Sequence, residues 1–162
     1  MALSVGDTLP DATLIQRGDS GPEQIHLKDT LKDRKVVIFG LPGAFTPTCS
    51  SAHVPSFIRT ANQFFAKGID EIICIAVNDI HVMKYWGETT GGIDAGITFL
   101  ADADSSFTTA IGMLFDAPAA GMFARCKRFS MLVENGVVKI MNAETSAGVC
   151  ELSGGEILLE QL

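Results

Sequence analysis

No two cysteines stand in a Cys-x-x-Cys arrangement; the four present, at 49, 74, 126 and 150, are isolated from one another. That spacing excludes a zinc ribbon and argues against a thioredoxin-type dithiol. Basic residues are also short, with 12 Lys and Arg against 19 Asp and Glu and a net charge of -7. A surface of this sign repels phosphate backbones, so no nucleic-acid partner is expected. Long apolar runs are missing: stretches such as Ile72-Ile73-Cys74-Ile75-Ala76-Val77 are far too short for a bilayer span, so no membrane partner is expected either. The N-terminus lacks the basic and apolar regions of a signal peptide, and Glu160-Gln161-Leu162 is a poor peroxisomal address. Repeats and low-complexity tracts are absent too. A cytoplasmic protein of one domain, residues 1–162, is the expectation.

What the chain does have is enough apolar content, 47% of 162 residues, to build a substantial core. Thr13 to Gln16 and Gln24 to Leu27 read as short strands around the turn-rich Gly18-Asp19-Ser20-Gly21-Pro22. Val36 to Leu41 shows no polar alternation, as for a strand buried on both faces. After Val54, apolar residues recur at helical spacing (Phe57, Ile58, Ala61, Phe64, Phe65), with Pro55 bending the start and Gly68 ending the helix. A second buried strand covers Glu71 to Val77, and Asn78-Asp79 caps a helix over Ile80 to Glu88. A third strand covers Ile97 to Ala101, and a helix starts at Asp104 or Ser105 and reaches about Leu114. Asn135-Gly136 between two strand-like runs, Phe129 to Glu134 and Val137 to Ile140, is a strong hairpin signal. Ser153 is placed to cap a final helix. The order predicts an α/β fold, with a central mixed sheet flanked by helices and an N-terminal hairpin extension.

The chemistry points to Leu41-Pro42-Gly43-Ala44-Phe45-Thr46-Pro47-Thr48-Cys49, where a buried strand passes into a helix. Thr46 suits the N-cap and Pro47 the first helical position. Cys49 then lies in the first turn, where free N–H groups and the helix dipole favour a thiolate. An ordinary thiol is only a few per cent ionised at neutral pH. Making a thiol predominantly thiolate takes about 3.4 kcal/mol. A helix end supplies about 0.3–1 kcal/mol, or about 2 when partly buried, and a charge-assisted hydrogen bond about 1.5–3. A cation is therefore needed, and Arg125, Lys127 and Arg128 are the candidates. Ionisation alone gains at most about thirty-fold in rate, so orientation and leaving-group stabilisation must supply the rest. Local physics leaves other readings open: Cys49 as a packed helix-start residue, Thr46 as a plain cap, Arg128 as a solvated strand end and His53 as a surface residue.

Pro42-x-x-x-Thr46-x-x-Cys49 resembles the signature loop of the peroxiredoxins. The fuller Pro42-Gly43-Ala44-Phe45-Thr46-Pro47-Thr48-Cys49-Ser50, followed by His53-Val54-Pro55, is similar to the type II branch, also called the peroxiredoxin-5 subfamily. The likeness runs in order through Val5-Gly6-Asp7, Ile75-Ala76-Val77-Asn78-Asp79, Lys84-Tyr85-Trp86-Gly87 and Lys127-Arg128-Phe129-Ser130, nearly the whole chain. It implies a thioredoxin-like fold and reduction of hydrogen peroxide and organic hydroperoxides with no metal, haem or flavin cofactor. Cys49 would be the peroxidatic nucleophile, Thr46 and Arg128 would polarise and position sulfur and peroxide, and Pro42 would keep water out. Regeneration would come from glutathione, glutaredoxin or thioredoxin, with Cys150, or less readily Cys74, as a resolving cysteine. A homodimer is implied as well. Cys126 departs from the family pattern, and two positions from Arg128 on an extended segment it would face the same side. The competing expectations are a disulfide reductase, disfavoured by the missing Cys-x-x-Cys, and a noncatalytic thioredoxin-fold redox sensor or holdase.

Overall fold

In a computed structural model describing residues 2–162, the uninterrupted apolar runs become the middle of one sheet. Strands β1 (Thr13–Gly18) and β2 (Gly21–His26) form a hairpin, and α1 (Leu27–Leu31) follows at once. Then come β3 (Lys35–Gly40), α2 (Val54–Ala66), β4 (Glu71–Ala76), α3 (Ile80–Thr89), β5 (Ile97–Ala101) and α4 (Ser106–Ala110). A small hairpin of β6 (Leu114–Ala117) and β7 (Met122–Cys126) precedes β8 (Phe129–Glu134), β9 (Val137–Ala143) and α5 (Gly155–Glu160). The main sheet has the order β2-β1-β5-β4-β3-β8-β9, with β3, β4 and β5 parallel and their outer neighbours antiparallel. This is the mixed sheet between helices that the sequence predicts.

Alternation along β3 divides the apolar residues between two cores. Val37 and Phe39 point to the layer filled by Phe57 and Phe64 of α2, Trp86 of α3 and Leu158 of α5. Val36 and Ile38 face Leu27 and Leu31 of α1 and Phe107 of α4. The Asn135-Gly136 turn is made as expected, with φ of 48° and 78°, the left-handed pair that a two-residue hairpin needs.

Four local expectations fail for identifiable reasons. Leu27 begins α1 instead of ending a strand, because it is fully buried in the second core. The helix after Asp104 stops at Ala110, since Gly112 adopts φ 73° and sends the chain into β6. Its first amide, that of Ser106, is met by Asp104 at 3.0 Å and the next two, those of Phe107 and Thr108, by the buried Asp102 carboxylate at 3.1 and 2.8 Å, while Ser105 makes no capping bond. Ser153 does not cap α5, whose N-cap is Gly154; its hydroxyl donates to Glu144 instead. The β6–β7 hairpin was not expected, because its residues show neither clean alternation nor a two-residue turn and its register is broken by a bulge.

Candidate active site

The loop after β3 is fastened from two sides. Asn78 Oδ1 accepts from the Ala44 amide at 2.9 Å, and Arg125 Nη1 donates to the Pro42 carbonyl at 3.1 Å. Phe45 takes φ 63°, a strained setting for a side chain of its size, and its ring rests near Tyr85 and Trp86. Thr46 stands at the helix start, yet its hydroxyl donates back to Gly43 O at 2.7 Å instead of capping. The backbone carbonyl of Thr46 accepts the Ser50 amide at 3.0 Å, so the chain is helical from there onward.

Cys49–His53 then forms a π-turn, with the Val54 N–H bonding to Cys49 O five residues back. The cause lies at Pro55, which has no N–H to donate and whose ring crowds the carbonyl four residues earlier. A widened turn relieves that conflict where the sequence suggested only a bend. Trp86 Nε1 donates to Ser50 Oγ at 3.0 Å and ties the turn to α3.

Arg128 sits in the short break between β7 and β8, and its side chain is 2% exposed. Its Nη2 donates to Cys49 Sγ at 3.2 Å and to Ala147 O at 2.9 Å, while Nη1 donates to His53 Nδ1 at 3.0 Å. Of the three candidate cations only this one reaches the sulfur. Arg125 holds the loop, and Lys127 is exposed. Arg128 as a solvated strand end is therefore ruled out, and so is His53 as a surface residue. The His53 ring is fully buried against Phe39 and Phe57, with Nε2 donating to Ser153 O at 3.1 Å. Burial, and then the Arg128 charge, push its pKa down to about 3.

A cavity of about 230 Å³ opens over this cluster. Pro42, Thr46, Thr48 and Arg128 line one side, and Phe115 and Met122 of the β6–β7 hairpin the other. Cys49 is fully buried, one hydrogen bond from the Arg128 group that lines the cavity, so the site suits a small oxidant. A larger cavity of about 500 Å³ near Leu9, Lys28 and Asn135 shares no residue with it, and no cysteine lines it.

The remaining thiols have other surroundings. Cys74 is enclosed on β4 in the same core layer as Cys49, and burial pushes its pKa well up. Cys126 belongs to the opposite layer. The strand breaks between it and Arg128, so alternation does not carry over and the two do not share a side. Its Sγ donates to Lys127 O at 3.2 Å, and burial raises its pKa to about 12. Cys150 is partly buried in the 144–154 segment, again with a pKa raised by burial. That segment lies over the site: Gly148 O accepts from Thr48 Oγ1 at 3.2 Å, and Glu144 Oε1 clasps the amides of Leu152 and Ser153 at 2.6 and 2.7 Å. Among the described residues no group of three or more His, Cys, Asp or Glu could hold a metal ion.

A sulfur nucleophile with a guanidinium at its side can attack an electrophile whose departing atom carries developing negative charge. The Redoxin family model matches residues 4–155. Peroxiredoxin-2C of Oryza sativa subsp. japonica is 41% identical over 161 residues, covering 99% of this chain and 98% of that protein. Mitochondrial peroxiredoxin-2F of Arabidopsis thaliana is 43% identical over 136 residues, covering 84% of this chain and 67% of that protein. The structure of reduced Prx3 in complex with H2O2 from Vibrio vulnificus has a TM-score of 0.91 at 42% identity, with 98% of each chain covered.

Proposed function

The chain belongs to the redoxin family as a type II peroxiredoxin of thioredoxin-like fold that reduces peroxide at the expense of thiols, and from that premise we propose how its residues divide the work. Cys49 is the nucleophile. Its thiolate attacks one peroxide oxygen, forming an S–O bond as the O–O bond breaks. Sulfur is oxidised to sulfenic acid, and the departing oxygen takes a proton and leaves as water or an alcohol. Arg128 stabilises the charge on sulfur and then on the departing oxygen. Thr46, which lines the cavity, orients the peroxide, and Pro42 keeps water from the sulfur. Two further thiols then supply two protons and two electrons, returning Cys49 to the thiol, releasing one water and becoming a disulfide.

The observation that carries this reading is the 3.2 Å contact of the buried guanidinium with Cys49 Sγ, made at a cavity wall. The Vibrio vulnificus relative solved with H2O2 supports the choice of oxidant. We place the protein in the reducing cytoplasm, where four free thiols persist, although relatives bear chloroplastic and mitochondrial names. No helix among the described residues is long and apolar enough to cross a membrane. We take residues 1–162 as one working domain and the assembly as a homodimer through the loops beside the site, where Phe45, Tyr85 and Phe123 are exposed.

Glutathione, glutaredoxin or thioredoxin is the proposed reductant. Cys150 is the favoured internal partner over Cys74, since it lies in a loop and only partly buried whereas Cys74 is locked in a central strand. One equivalent of hydrogen peroxide on reduced protein, with a sulfenic-acid trap and peptide mapping, tests both assignments. The first adduct is expected on Cys49 alone, followed without the trap by a Cys49–Cys150 disulfide. An adduct spread over the four thiols removes Cys49 from its role. Cys49 oxidised with Cys74 and Cys150 both still free passes resolution to an external thiol.

A further inference from the structure

Besides its four cysteines the chain carries six methionines, five of them among the described residues. Met83, Met113 and Met131 are 1%, 5% and 0% exposed and packed in the two cores. The other two, Met122 and Met141, are partly open. Met141 lies on the edge strand β9 and packs against the second core. Met122 instead lines the cavity over the active site, with Arg128, and is the one sulfur among the described residues that wall it. The β6–β7 hairpin puts it there. Gly121 turns the chain with φ 68°, and Met122 then pairs across the hairpin with Ala117. Paired residues share a face, and both reach the cavity. Phe123, the next residue along β7, points to the opposite face and is exposed, so an interface built on Phe123 leaves Met122 facing the cavity.

A thioether has no proton to lose before it attacks a peroxide. Its barrier is the charge that gathers on the departing oxygen, and a preorganised cation lowers that barrier whichever sulfur is the nucleophile. Resting on the reading of this cavity as the peroxide site, we propose that Met122 is a second oxidation site of the protein, converted to methionine sulfoxide by peroxide held beside Arg128. Met122 Sδ attacks one peroxide oxygen, and an S–O bond forms as the O–O bond breaks. Sulfur is oxidised and peroxide reduced; the proton of the transferred oxygen passes to the departing one, which leaves as water or an alcohol. The Cys49 thiolate is the better nucleophile and reacts first. Met122 is therefore oxidised when Cys49 already is, that is, when peroxide outruns the thiol supply. The product sets a polar S=O acceptor opposite Arg128, in a wall otherwise made by Phe115 and Ala117. It competes with peroxide for the guanidinium and slows turnover. A methionine sulfoxide reductase, oxidising two thiols to a disulfide, returns the thioether and releases water.

Cys49→Ser removes the competing thiolate and keeps the cavity, so the test begins there. Excess hydrogen peroxide is added and sulfoxide at each methionine is followed by peptide mass mapping. Met122 is expected to oxidise about tenfold faster than Met141, the weight of one charge-assisted hydrogen bond to the departing oxygen. Adding Arg128→Lys is expected to bring the two within about twofold of each other. Slow oxidation of the buried Met83, Met113 and Met131 verifies in each variant that the fold holds. In wild type, excess peroxide is expected to slow dithiothreitol-supported turnover, and methionine sulfoxide reductase to restore it, which the reductase cannot do for an overoxidised cysteine. Met122→Leu, measured against its own starting rate, is expected to show no loss of this restorable kind. Equal oxidation of Met122 and Met141, a ratio unchanged by Arg128→Lys, or a restorable loss that is absent from wild type or persists in Met122→Leu would each overturn the proposal. Selective oxidation of Met122 in a protein whose Cys49 ignores peroxide would defeat the peroxidase assignment and leave the Met122 site standing.

Discussion

Peroxide consumption supported by dithiothreitol is expected to fall about 10²–10³-fold in Arg128→Lys, the usual loss when one preorganised donor to a developing oxyanion is removed. Cys49→Ser sets the zero line, since a serine hydroxyl is neither ionised nor soft enough to attack the O–O bond. The size of the effect rests on geometry. Arg128 places two N–H groups on separate acceptors at 3.0 and 3.2 Å and a third contact on Ala147 at 2.9 Å, all from one rigid plane. Lysine offers a single ammonium on a flexible stem and cannot hold these directions at once. Burial sharpens the contrast, because the guanidinium is almost wholly removed from water and its charge acts through a medium of low polarity. The loss is expected in the second-order rate with peroxide, with the fold intact by circular dichroism. A lysine variant within threefold of wild type would remove Arg128 from the chemistry.

Acid is expected to destabilise the protein through His53. In the unfolded chain its imidazole takes a proton near 6.5, whereas in the folded protein burial and the Arg128 charge delay this until about pH 3. Between those values the unfolded chain binds the extra proton, so stability falls as pH falls. The contribution is fully present above about pH 7 and is lost progressively down to about pH 3. From pH 7 to pH 4 this single group removes about 2–4 kcal/mol of unfolding free energy. The groups that meet the ring are Arg128, the Ser153 carbonyl, Phe39 and Phe57, and none offers a negative charge to accommodate an imidazolium. Urea midpoints measured across that range should drop more steeply for wild type than for His53→Asn, which cannot titrate. Parallel pH dependences for the two proteins would show that His53 does not carry the linkage.

Some of these residues were legible from local pattern. Unbroken apolar runs marked β3, β4 and β5, because strands covered on both faces need no polar alternation. Asn135-Gly136 marked its own turn, since both residues tolerate positive φ. Pro42, Thr46 and Cys49 lie within eight residues, where a fixed spacing is visible, and the Lys127-Arg128-Phe129-Ser130 match singled out Arg128 from its two neighbours.

Other features were beyond local reading. The π-turn is a compromise between Pro55 and the helix it enters, and apolar periodicity does not register a change of one residue in hydrogen-bond span. Cys126 was expected on the same side as Arg128, but a two-residue break in the strand turned it into the other core.

By itself, the sequence determined the family, and through that resemblance it put forward Cys49 as nucleophile and Arg128 as cation, because the motifs that carry the resemblance are set by residue type and short spacing. Only the tertiary structure decided that His53 is buried, which nitrogen carries its hydrogen, and that Arg128 is aimed without a carboxylate. The physical reason is range. The partners of His53 stand 75 and 100 residues along the chain, and whether a polar side chain is buried or solvated depends on which of those groups the completed sheet brings to it.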